Sequence, residues 1–505
     1  MVGSGVEQRI GILRRVAEQQ ILKPLQTHNW STQIVEEREF GEYIVVSAER
    51  NQARKKVALL YSSATDNQHY KALDNRVDRI FVNGELYMTE SFAYGITTPI
   101  ASVDDFFATL VRWNKELEPV AIQPSPKTNI QRKRKFITAE NPLDAIWMRL
   151  KQFSSIQTTE KLIRRRAEAE GITLEDSTIA SKASGVAFTV RNACDYLRKS
   201  DSSGLNNRIL SLYYGNLALA SAEMLSAPNG PSDLDEVEGF TKRGHGLYTV
   251  SGGGDIGSIV IGPLATGFFP RWVSFLGHDI NHFLKRRPKS ESDVEKMDSS
   301  VVITMLELFG AIPELNDLYR EVSDTFPLWV APHYDMQLNR ASLSLRSTQR
   351  PKIHSSYIHF TEPSGEMPSE ILRSSPWPLA EIEEVQSELE DHGKAFRARL
   401  DHPGFDHWFE ALPIHHSPFS PSSSLIFPQY GAASEYRVIA FSLIYALSIV
   451  VRYMPSTWRR VEGGDCDQYL PLVEMALNVF ERVLPQEFLQ TISGESIHVK
   501  QPGTL

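Results

Sequence analysis

Cysteine is nearly missing from this chain of 505 residues, which has only Cys194 and Cys466. Two thiols allow one bridge at most, exclude a four-cysteine zinc site within one chain, and fit a reducing compartment. The opening stretch MVGSGVEQRIGILRRVAEQQ lacks the apolar core of a signal peptide. Long apolar runs are missing too. The longest, Val438 to Val451, has 14 residues and contains Ser442 and Ser448, against the roughly 20 that a membrane span needs. It reads as a buried helix. The expectation is a cytoplasmic protein with no membrane contact. No tandem repeat or sustained heptad array is present, and 41% hydrophobic with 23% charged residues excludes a disordered or collagen-like chain. A chain of this length divides into two to four domains and needs neither disulfide nor metal to fold.

Charge is divided unevenly. Residues 1–135 carry 19 Lys and Arg against 16 Asp and Glu, whereas the rest carry 34 against 46, and the whole chain has a net charge of -9. This balance argues against attraction of the whole body to nucleic acid and leaves room for a local basic surface that holds phosphate.

Helical spacing covers residues 5–25. Strand formers follow at Glu42–Val46, Lys56–Tyr61 and Val77–Val82, with Asn83-Gly84 as a turn and Glu85–Tyr87 as a candidate hairpin partner. Phe106, Phe107, Leu110 and Trp113 then lie on one helical stripe. Residues 1–117 thus read as a small α/β module. Three prolines and the cluster Arg132-Lys133-Arg134-Lys135 mark 118–138 as a basic linker. Residues 139–490 read as a mainly helical body, and 491–505 as a tail. Within the body, helices are expected at 143–154, 158–169, 179–199, 206–225, 301–310, 314–319, 433–453 and 466–489. Short strands are expected at Leu247–Val250 and Ser258–Ile261, and a small sheet within 338–360. The fold class expected is α+β.

Several motifs bear on chemistry. The linker cluster Arg132–Lys135, and a second group made by Lys161, Arg164, Arg165 and Arg166, can each approach phosphates; a solvated linker and a charged helix face are the plainer reading. His278 and His282 stand four apart, so a helix would put both rings on one face as half a metal site. The alternative is a packed or hydrogen-bonded pair. Asp401-His402, Asp406-His407 and His415-His416 form local pairs that need no catalytic purpose. The run VSGGGDIGS at 250–258 can form an anion nest, but it has no Gly-Lys-Ser/Thr ending. No Gly-x-Ser-x-Gly elbow supports a serine hydrolase.

The segment from Tyr436 through the apolar helix to Arg452-Tyr453-Met454-Pro455 and Trp458 resembles the bacterial YaaC-like family. YYGNLALASAEML at 213–225 and His245-Gly246-Leu247 support that resemblance, which extends over about 140–490. Arg452 and Tyr453 stand where an apolar helix meets a polar boundary, as a structural joint or the wall of a ligand pocket. The helical body is more loosely similar to HEPN-type bundles, whose RNA-cleaving sites pair an Arg with a His after four to six intervening residues. The spacing in Arg243-Gly244-His245 is shorter. The sequence departs from that pattern, and Arg243, to bind phosphate, and His245, to transfer a proton, are the candidate site residues that this stretch offers. The amino-terminal module is similar in outline to a degenerate restriction-endonuclease core. Its Glu37, Glu42, Glu49, Lys56, Asp66 and Asp78 make no clean metal-binding pattern.

The reading is a noncatalytic scaffold or sensor in a bacterial, nucleic-acid-linked and antiviral assembly, with a protein partner or a second copy. An RNA- or DNA-cleaving enzyme with a composite site is the alternative, and a small-molecule-binding regulator the third. No cofactor is expected, apart from a divalent metal if the chain is a nuclease.

Overall fold

A computed structural model describes residues 3–27, 30–38, 40, 42–50, 53–61, 66–83, 92–106, 109–110, 113, 134–198, 204–251, 255–288, 291–294, 301–339, 354–385, 394–417, 423–430 and 433–500. The hairpin expected at Glu85–Tyr87, the glycines at 252–254 and most of the linker, including Arg132 and Lys133, lie outside the described residues. The chain separates into two compact units, 1–129 and 130–505. The fold is α+β in both its smaller and its larger part.

In the smaller unit, α1 (Gly3–Val16) runs through a π-helical stretch at Ala17–Leu22 into α2 (Lys23–Thr27). The sheet has five strands in sequence order: β1 (Ser31–Glu37), β2 (Tyr43–Arg50), β3 (Ala53–Leu60), β4 (Arg79–Val82) and β5 (Ile100–Ser102). The first three are antiparallel and the last two pairings are parallel. Alternation along β2 explains its burial on both sides. Ile44, Val46 and Ala48 pack with Leu13, Ala17 and Ile21, while Tyr43 and Val45 pack with Tyr70 and Leu73 of α3 (Asn67–Leu73).

In the larger unit, α4 (Pro142–Gln152), α5 (Ile156–Glu170), α6 (Asp176–Arg198) and α7 (Leu205–Ser226) lead to α8 (Leu234–Thr241). α9 (Phe268–Phe275), α10 (Met305–Gly310) and α11 (Asn316–Val322) are short. α12 (Tyr436–Tyr453), α13 (Pro455–Gly463) and α14 (Leu470–Ser493) complete the helical core. α12 is the one described helix long and apolar enough to cross a membrane, and 78% of it is buried inside the protein. It is a core helix. Gly215 lets α6 and α7 approach: a Cβ there would stand 2.5 Å from Cγ of Leu197.

The sheet content is larger than the sequence suggests. β7 (Leu247–Val250), β8 (Val260–Pro263) and β9 (Ile303–Thr304) make a three-stranded sheet. β10 (Trp329–Tyr334), β11 (Ser355–Glu362), β12 (Leu379–Val385), β13 (Lys394–Asp401), β14 (Ile414–His416) and β15 (Ser423–Ile426) make a six-stranded one in the order β12-β13-β11-β10-β15-β14, all antiparallel. It has its own core, centred on Val330, Ile358, Phe360, Phe396, Leu400 and Leu425. The expected linker and tail differ as well. Arg134–Thr138 is strand β6, paired in parallel with β16 (Ser496–Lys500).

Candidate functional site

The β6–β16 pairing brings together basic residues that are distant in sequence. Asn141 caps α4 by accepting from the backbone N–H groups of Leu143 and Asp144, and Pro142 supplies the first turn. Arg149 and Gln152 therefore emerge at the far end of that helix. Ser155 caps α5 in the same way through Thr158, and Lys161 and Arg165, four residues apart, share a face of it. Gly494, with φ of 69°, ends α14 in the left-handed region and turns the chain into β16. Lys135 then lies opposite Ile497 and close to Glu495.

These elements enclose a cavity of about 280 Å³, with Lys135, Arg149, Lys161 and Arg165 around it and Phe153, Leu162, Leu489 and Ile497 among its walls. One lining carboxylate faces the four cations. Glu495, with a side chain only 13% exposed, stands 3.4 Å from Lys135 Nζ and 3.6 Å from Arg165 Nη2. Three positive charges remain in excess inside a concave, partly apolar wall, where water screens them less than on an open surface. Such an arrangement can hold a phosphate or another oxyanion.

The other predicted cations have different places. Arg166 Nη1 donates to Ser226 Oγ at 3.0 Å and to the carbonyls of Thr491 and Ile492, both at 2.9 Å. It caps the last turn of α14. Arg164 pairs with Asp176 at 2.6 Å, and Arg134 is exposed.

His245 and Arg243 do not form a pair. Arg243 is exposed and its side chain has no partner among the described residues. His245 is held by its backbone: Phe268 and Phe269, at the start of α9, donate to the carbonyls of Gly244 and His245 at 3.0 and 2.9 Å. Its Nδ1 lies 2.6 Å from the Tyr213 hydroxyl. Burial, and then the charge of Arg452, hold its pKa below the usual range, while burial raises that of Tyr213. The imidazole is thus neutral near pH 7, and Nδ1 and the Tyr213 hydroxyl share one hydrogen bond. The guanidinium beside His245 is therefore Arg452, not Arg243.

The expected metal pair is corrected. Gly277 turns the chain at φ of 93°, and His278 and His282 follow in irregular structure instead of a helix. His278 Nε2 bonds Glu435 at 2.8 Å, and His282 Nε2 bonds the Tyr430 carbonyl at 2.7 Å. Among the described residues no group of three or more His, Cys, Asp or Glu could hold a metal ion. The amino-terminal acids are likewise dispersed: Glu37 pairs with Arg14, Glu49 with Arg54, Asp66 caps α3, and Asp78 accepts from the Lys56 backbone.

Sequence reasoning missed Arg149 and Glu495 in the cavity, the cluster around Asp335, and the partners of His415. Asp335 Oδ2 lies 2.7 Å from His359 Nε2 and 3.4 Å from Arg397 Nε on the six-stranded sheet. His415, on β14, is buried with Nε2 3.1 Å from Glu314 and Nδ1 3.4 Å from Glu487 of α14. Its ring lies 4.2 Å over that of Tyr436. Burial lowers its pKa, but hydrogen bonds and charges from both carboxylates outweigh burial and raise it to about 9. A ladder of alternating residues gives no hint of such partners.

A family model described as YaaC-like Protein matches residues 151–492, and the chain belongs to that family. Searches of curated proteins and of solved structures gave no match.

Proposed function

We propose that this member of the YaaC-like family is a noncatalytic sensor or scaffold that grips the phosphates of RNA or DNA through Lys135, Arg149, Lys161 and Arg165. The observation that carries this reading is the gathering of four cations and one carboxylate in a single cavity of about 280 Å³. Phosphate contacts position a strand without reading its sequence, and that suits a detector of nucleic acid in general. Glu495 holds Lys135 and Arg165 in place when the cavity is empty and gives them up to a more highly charged anion. The acidic balance of the remaining chain confines binding to this patch. A protein partner or a second copy would transmit occupancy, and the similarity to HEPN-type bundles suggests a bacterial antiviral setting.

The test is fluorescence anisotropy of the full chain with 5′-labelled single-stranded RNA and DNA. The reading expects affinity at least tenfold weaker after Lys161→Glu with Arg165→Glu, and a probe that stays intact. Unchanged affinity would refute the site. A probe cut by the wild type and spared by His245→Ala would favour the nuclease reading instead.

A further inference from the structure

The end of α12 holds a second feature that the basic cavity does not use. Arg452 is half-buried, yet among the described residues no carboxylate pairs with it. Its Nε donates to the Ser448 carbonyl at 2.9 Å and Nη2 to Ser448 Oγ at 3.0 Å, which leaves Nη1 without a partner among the described residues. The guanidinium carbon lies 5.9 Å from the ring centre of Tyr213 and 5.1 Å from that of Tyr453. Tyr453 is 68% exposed. Tyr213 is bonded in turn to His245 and contacts Tyr214, which stacks on Tyr196 at 5.6 Å. Arg452 Nη1 is not among the buried atoms that lack a partner, so it reaches solvent and is open to an anion. An exposed ring held against a guanidinium offers a planar surface for stacking.

We infer that Arg452, His245 and Tyr453 form a nucleotide-binding site separate from the basic cavity, in which Tyr213 donates to His245 Nδ1, Arg452 Nη1 and the resulting N–H of His245 Nε2 take the phosphate, and Tyr453 stacks on the base. Arg287 adds a further positive charge on this side. Its Nη2 donates to the Thr249 carbonyl at 2.9 Å, and among the described residues it too has no carboxylate partner. The ligand is a nucleotide unit, free or within a single strand. The glycines flanking His245, with φ of 100° at Gly244 and 82° at Gly246, set the backbone path through it, and the Tyr213 hydroxyl orients the ring.

The probe is 8-azidoadenosine 5′-monophosphate, photolysed with the full chain and mapped by mass spectrometry of tryptic peptides. The site predicts label on the peptide that begins at Tyr453, protection by AMP, and no protection by adenosine. Arg452→Gln, read on the longer tryptic peptide Val438–Arg459 that this change creates, and the surface substitution Tyr453→Ala each reduce labelling at least fivefold, whereas Lys161→Ala with Arg165→Ala leaves it unchanged. Competition by AMP and by a five-residue oligoadenylate distinguishes the sources: the tighter competitor is the form the site takes. Label confined to residues 135–165, protection by adenosine equal to that by AMP, or indifference to both Arg452→Gln and Tyr453→Ala would each overturn the inference. The last result is informative because Tyr453 is too exposed for its loss to unfold the chain.

Discussion

Raising the pH should loosen the join between the six-stranded sheet and the helical core, because that join runs through a protonated His415. The ring is 6% exposed and lies between Glu314 and Glu487. Its pKa in the folded chain is about 9, against about 6.5 in an unfolded chain. A histidine raised in this way stabilises fully below pH 6.5, and its contribution is lost as pH rises through 9. The difference corresponds to about 3 kcal/mol, lost at up to about 1.4 kcal/mol per pH unit between those limits. The assay is equilibrium urea unfolding of the wild type and of Glu314→Gln with Glu487→Gln, from pH 7 to pH 10. In the variant His415 is neutral throughout, so the wild-type advantage should shrink steadily with pH. An advantage that stays constant from pH 7 to pH 10 would refute the argument, since no proton would then be bound at this site.

Three further outcomes follow from the packing. Arg437 forms a buried bidentate pair with Glu223, which also accepts from Trp272 Nε1 at 2.9 Å; Arg437→Ala should cost about 3–5 kcal/mol by thermal or urea unfolding, and Glu223→Leu added to it should restore part of the loss. Gly246→Ala should destabilise by about 1–3 kcal/mol, because φ is 82° and the added Cβ would stand 2.3 Å from Pro270 Cδ; it should also reduce photolabelling at Tyr453 by displacing His245. Arg166→Met should cost about 1–3 kcal/mol by leaving the carbonyls of Thr491 and Ile492 uncapped, with hydrogen exchange rising first at the end of α14.

The helical core was the legible part of the sequence. α7, α12 and α14 are apolar over most of their circumference, and Pro228, Pro455 and Gly494 punctuate them. The six-stranded sheet was largely hidden. β11 buries alternate residues, among them Ser356 and Glu362, and β13 presents Lys394, Arg397 and Arg399 between its buried positions. Polar residues at inward positions of β11, and the adjacent buried pair Ala395 and Phe396 in β13, blur the alternation on which strand recognition relies. The site divides in the same way. The basic clusters and the Arg452 helix end are visible as local composition, and the side chains they meet are not. Lys135 and Arg165 meet through Glu495, more than 300 residues away in what reads as a tail, and Arg452 approaches His245 across about 200 residues. His278 and His282 show the converse failure, because helical spacing has no meaning once Gly277 has turned the chain.

Phosphate binding by the basic cavity is tested most directly by the dependence of single-strand affinity on salt. Contact with three or four phosphates predicts that log K falls with log[salt] at a slope of about -2 to -3, and that Lys161→Ala with Arg165→Ala makes the slope shallower by about 1.4. An identical slope in the wild type and this variant would mean that the cations of the cavity do not meet phosphate, and would contradict the account.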